Sequence, residues 1–142
     1  QKTAYEIYQC DWSSDVCSSD LTTPKSHKRR GATYETELRD YFRRNGYDAE
    51  RLARAGQLDE GDIVVRKDFL GSIGIIEAKA PGESGRINLS GWSKEARVEA
   101  GNYAKARGLD EGMVLPAIAI KARGKSIADS YLVFRLGDVF GE

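Results

Sequence analysis

Histidine is almost missing from this chain: His27 is the only one among 142 residues. It lies in a basic run, so no Ser–His–Asp nucleophile set can be assembled. Cysteine is equally scarce. Cys10 and Cys17 are the whole supply, and two cysteines without partner histidines make no metal site. Long apolar runs are absent, and none approaches the roughly 18 residues that a membrane helix needs. The N-terminus lacks an apolar segment of the usual length, so no secretory signal is expected. No glycine-rich phosphate loop precedes a helix. Gly71-Ser72-Ile73-Gly74 falls in a turn and strand without the required lysine, which argues against nucleoside triphosphate chemistry. Charge of one sign is lacking too: 22 bases meet 22 acids, and taken whole that balance argues against a nucleic-acid partner.

The balance changes once the first 21 residues are set apart. Gln1 to Leu21 shows no sustained period, ends in a Ser/Asp/Cys-rich stretch and holds both cysteines. It resembles the conceptual translation of a sequencing adapter and is expected to be non-native or disordered. It carries Lys2 against Glu6, Asp11, Asp15 and Asp20, a net of −3. The remaining body, 22–142, then has 21 bases and 18 acids, a net of +3. No linker or internal repeat divides it, so a single domain is expected.

The body opens with a basic arm, Lys25 to Arg30. Tyr34, Leu38, Tyr41 and Phe42 recur at helical spacing, which predicts a helix from Thr33 to about Asn45. Thr33 is its expected N-cap and Gly46 its stop. Strands are expected over Ala49–Ala53, Asp62–Arg66 and Ile73–Lys79, with a polar loop at Arg54–Glu60. Pro81-Gly82 closes the third strand. A second helix spans Ser90–Arg107, burying Trp92, Ala96, Ala100, Tyr103 and Ala104. Met113–Ile120 reads as a strand in which Pro116 marks an edge or bulge, and Tyr131–Arg135 as a last strand. The pattern is α/β: an α-β-β-β-α-β core followed by one more strand, a mixed sheet flanked by helices.

The chemistry concentrates in Gly61-Asp62-Ile63-Val64-Val65 and in Glu77-Ala78-Lys79 at the end of the third strand. Residues i and i+2 of a strand point to one face, so Glu77 and Lys79 sit side by side. Asp62 and Glu77 are candidate carboxylate ligands for a hard cation, with the Ala78 carbonyl as a further ligand. Lys79 supplies a point charge to a phosphate or orients a water. Glu35, placed one turn into the first helix, completes the acid set directly or through water. Taken singly, each has a plainer role: Asp62 in a turn, Glu77 paired with Lys79 at a sheet edge, Glu35 favoured by the helix dipole. Their combination and order favour phosphodiester hydrolysis.

At these residues the chain resembles the PD-(D/E)XK nuclease superfamily, and more narrowly its Holliday junction resolvases of archaeal and phage type. The likeness runs over nearly all of 28–135. It rests on Lys28-Arg29-Arg30-Gly31-Ala32-Thr33-Tyr34-Glu35, Arg51, Arg54-Ala55-Gly56, Gly61-Asp62-Ile63 and Ile76-Glu77-Ala78-Lys79. It departs at Gly61, where the superfamily often has proline, and at Ala55, where resolvases often have serine. The resemblance implies a restriction-endonuclease-like core and metal ligation by Asp62 and Glu77. It also implies a catalytic Lys79 and a supporting Glu35. A magnesium cofactor is expected, with manganese as a substitute, and a homodimer acting on four-way or otherwise branched DNA in recombination or repair. Trp92 and Met113–Ile120 are candidates for the dimer face, though ordinary core is the better assignment. The expected setting is the cytoplasm of a bacterial cell or a phage-infected host, with no membrane partner.

Lys28, Arg29, Arg30, Arg51, Arg54, Lys121, Arg123 and Lys125 are candidate phosphate contacts. Two alternatives stand beside the resolvase: a restriction- or repair-type nuclease of the same fold, and a non-catalytic DNA-binding module.

Overall fold

The computed structural model describes residues 24–142 apart from Ala55, Glu83 and Ser84, with backbone alone at 24–27, Gln57 and Lys67. The expected boundary between residues 21 and 22, and the departure at Ala55, lie outside the described residues. Residues up to Arg30 form one unit and Gly31–Glu142 another.

Eight principal elements follow in order: α1 Pro24–Arg44, β1 Asp48–Arg51, β2 Ile63–Phe69, β3 Ser72–Lys79, α2 Leu89–Arg107, β4 Val114–Ile120, β5 Tyr131–Val133 and α3 Leu136–Phe140. The chain therefore has the mixed α/β architecture, with the α-β-β-β-α-β order expected from its sequence. Among the described residues the sheet has five strands, side by side in chain order. β1, β2 and β3 form an antiparallel meander. β3 and β4 are parallel, as the intervening helix α2 permits. β5 returns antiparallel to β4.

Alternation along the strands builds two apolar layers. Ile63 and Val65 of β2, Ile76 of β3, and Leu115, Ala117 and Ala119 of β4 pack with Tyr34, Leu38 and Phe42 of α1. The intervening residues Val64, Ile75 and Val114 pack with Ala100, Tyr103 and Ala104 of α2. Further along, Ile118 and Ile120 meet Ala96, with Trp92 against them. The central strands are covered on both faces, which explains why they read as near-continuous apolar runs. β4 and Trp92 are thus core or lie against it, while Met113 falls outside the strand in a short 3-10 turn and is exposed.

Several boundaries differ from expectation. α1 begins at Pro24, not Thr33, so Thr33 is no N-cap and the basic run is helical. Lysine and arginine are good helix formers, and proline suits a first helical position. Tyr41 is only half-buried while the rest of its stripe is covered. Gly46 ends the helix with φ +88, its N–H donating to the Arg43 carbonyl. β2 runs on to Phe69 through a register shift after Val65. Pro116 sits where β4 is bonded to β3 alone, because β5 reaches only Ile118, Ala119 and Ile120. A local edge tolerates its missing N–H. The last strand ends at Val133, and α3 follows it.

Candidate active site

Glu35 and Asp62 are the charged side chains buried in the core among the described residues. Both were singled out in the sequence. A buried charge persists only when it is paired or neutralised, and each is handled differently.

Gly61 delivers Asp62 to the sheet. It adopts φ +97, a conformation closed to proline, whose ring holds φ near −65°. A Cβ there would lie 2.8 Å from Ile75 Cγ2, so the close approach also demands glycine. Asp62 N–H donates to the Ile76 carbonyl at 3.2 Å. The Ala78 N–H in turn donates to Asp62 Oδ2 at 2.8 Å. The Asp62 carboxylate therefore lies along the end of β3 that carries Glu77. Burial raises its pKa, the Glu77 charge raises it further, and Glu35 adds to this; the Ala78 N–H and Arg54 pull the other way. The balance leaves it at about 7.

Glu77 and Lys79 share the face that meets α2, as the two-residue period predicts. Lys79 Nζ donates to Glu77 Oε1 at 2.6 Å and to Glu95 Oε2 at 2.9 Å. It stands 5.9 Å from the Trp92 ring centroid. Burial disfavours the ammonium, but the hydrogen bonds and charges of Glu77 and Glu95 outweigh it and raise its pKa. Lys79 is thus a cation at neutral pH, suited to meeting a phosphate and unsuited to being a base.

Glu35 lies well inside α1, not in its first turn, so the helix-dipole account does not apply to it. Arg51 Nη2 donates to its Oε2, and Arg54 Nη2 to its Oε1 at 3.3 Å. Arg54 also stands 3.7 Å from Asp62 Oδ1. Two arginines therefore neutralise Glu35, and one of them links it to Asp62. Arg54 is 72% exposed, which leaves the guanidinium reachable from solvent beside the acid pair.

Two residues of α2 escaped sequence reading: Glu95, which meets Lys79, and Glu99. Glu99 of α2 has a buried Oε2 without a hydrogen-bond partner, which would lie 3.7 Å from a Cβ on Gly61. Burial raises its pKa, and the neighbouring Glu77, Asp59 and Asp62 raise it further, to about 9. The sequence offers only the helical spacing of Trp92, Glu95 and Glu99, which does not say that the acids turn toward β3.

No cluster of three or more His, Cys, Asp or Glu side chains among the described residues forms a cage for an ion. The candidate donors are the carboxylates of Asp62 and Glu77 and the Ala78 carbonyl, with Glu99 Oε2 near them. Such a partial oxygen set fits a hard octahedral cation that keeps several waters or takes phosphate oxygens.

The remaining basic candidates are dispersed. Lys121 Nζ donates to Glu37 Oε2 at 2.9 Å, and its backbone N–H to the Lys79 carbonyl at 2.9 Å. The turn carrying Arg123 and Lys125 thus departs directly beside the end of β3. Both side chains are exposed, and Lys125 borders a charged crevice of about 350 Å³ with Glu37, Asp40 and Arg44. Lys28, Arg29 and Arg30 belong to the unit that ends at Arg30; Lys28 and Arg29 are exposed.

No protein-family model matches the chain, and no curated protein matches it. Among solved structures it is similar to Hjc of Archaeoglobus fulgidus, a Holliday junction resolvase from an archaeal hyperthermophile. Identity is 17% and the TM-score 0.43, with 79% of this chain and 96% of that one covered. Likeness at that level leaves the chemistry to be argued from the side chains.

Proposed function

We propose that this chain is a metal-dependent, structure-selective DNA endonuclease of Holliday junction resolvase type. The observation that carries the proposal is the meeting of Asp62, Glu77 and Lys79 at one end of β3. Burial and the neighbouring Glu77 charge disfavour the ionised form of Asp62, while a lysine held as a cation stands beside Glu77. A divalent cation, magnesium or manganese, would neutralise the acids, and when bound it would polarise the phosphate and lower the pKa of water.

The protein's own groups do the rest. Asp62, fixed by the Ala78 N–H, and Glu77, with the Ala78 carbonyl, would hold the cation. Lys79 would face the developing charge on the phosphate. Glu35 would anchor Arg51 and Arg54, and Arg54 would meet the phosphate backbone from the solvent side. Arg123, Lys125 and the basic residues 28–30 would add backbone contacts that position DNA without reading its sequence. A homodimer would place two such sites on one junction.

The test compares cleavage with binding. Asp62→Asn and Lys79→Ala should each lower the cleavage rate by at least about 10²-fold and leave DNA affinity within about threefold, since phosphate contacts elsewhere carry it. Cutting at the wild-type rate by either variant would overturn the site assignment.

A further inference from the structure

Lys79 has a flexible four-carbon stem, so its role as a point charge depends on what holds it. One of its two partners is Glu77 Oε1, on the carboxylate assigned above to the cation. A cation and an ammonium at one carboxylate compete for the same negative charge, so a cation held there would loosen Lys79 from Glu77. The other partner, Glu95 Oε2 at 2.9 Å, lies on α2, outside that donor set. Trp92, one helical turn earlier, places its ring beside the same ammonium. We propose that Glu95 is a positioning residue for Lys79, keeping the ammonium in place when Glu77 turns to the cation, with Trp92 limiting where the lysine can swing. The proposal rests on the nuclease reading and extends its site to α2.

Glu95 is 56% exposed, and an ion pair so open to water adds little to stability. Neutralising it therefore tests positioning without unfolding the chain, and thermal unfolding of Glu95→Gln should match wild type. On DNA, Glu95→Gln should lower kcat by about tenfold or more with KM within about twofold, and Glu95→Asp should restore part of the loss.

A second readout needs no DNA. The rate at which Lys79 reacts with an amine-modifying reagent is followed by mass spectrometry on the full chain, with and without calcium as the cation. Calcium should leave the wild-type rate nearly unchanged and raise it several-fold in Glu95→Gln. Equal lysine reactivity in the two proteins with calcium would overturn the inference, as would an unchanged kcat in Glu95→Gln. A wild-type chain that cuts no DNA would instead remove the nuclease reading, and the lysine measurement would still decide whether Glu95 holds Lys79.

Discussion

Asp62 and Glu99 share one problem, a carboxylate withdrawn from water next to other carboxylates, and they resolve it by holding protons more tightly than usual. Both pKa values lie above those of an unfolded chain, so the folded state gains most below the ordinary carboxylate range. That gain is lost as pH rises through about 7 for Asp62 and about 9 for Glu99. The metal-free chain should therefore lose thermal stability between mildly acidic and alkaline conditions. Glu99→Gln removes one of these charges, so it should raise stability at alkaline pH by on the order of 1 kcal/mol, with the advantage shrinking toward acid. Calorimetric melting across pH checks this, and an advantage that grows toward acid would contradict it. Glu77 and Lys79 were legible in the sequence because a strand's two-residue period puts them on one face, and Asp62 because it directly precedes the apolar run of β2. Glu99 was not, because an acid on a helix ordinarily faces solvent and only the packing of α2 on β3 turns it inward.

Element by element, the strongly patterned segments were legible and the boundaries less so. Ile73–Ile76 and Val114–Ile120 are apolar enough to demand burial on both faces, and α2 shows its buried stripe plainly. The start of α1 was misplaced because the apolar stripe begins only at Tyr34, while helix propensity in the basic run extends it to Pro24. α3 is five residues long, too short to show a period. Two substitutions test how elements set the site. Gly61→Ala places a Cβ 2.8 Å from Ile75 Cγ2 at φ +97; it should cost about 1–3 kcal/mol in urea denaturation and reduce cleavage by shifting Asp62. Asn88 caps α2 by accepting from the Gly91 N–H at 3.0 Å, so Asn88→Ala should cost about 1 kcal/mol.

At the scale of the whole molecule, a formal net charge of zero conceals a body that is +3 without its first 21 residues. If that body meets DNA through phosphates, affinity should fall steeply with salt, and Lys125→Ala should reduce the salt slope by about one unit. No helix among the described residues is long and apolar enough to cross a membrane. The α-β-β-β-α-β order was readable because each apolar run is separated by a distinct turn or helix. Whether two chains pair was not readable, because β4 and Trp92, suggested for that role, are spent in or against the core. The central claim, that one end of β3 hydrolyses phosphodiesters with a divalent cation, is tested most directly by incubating the full chain with a labelled four-way junction and an equal-length duplex, with magnesium or with chelator. Paired symmetric nicks in the junction that need magnesium and exceed cutting of the duplex are predicted. Binding of the junction without any magnesium-dependent cut would contradict the account.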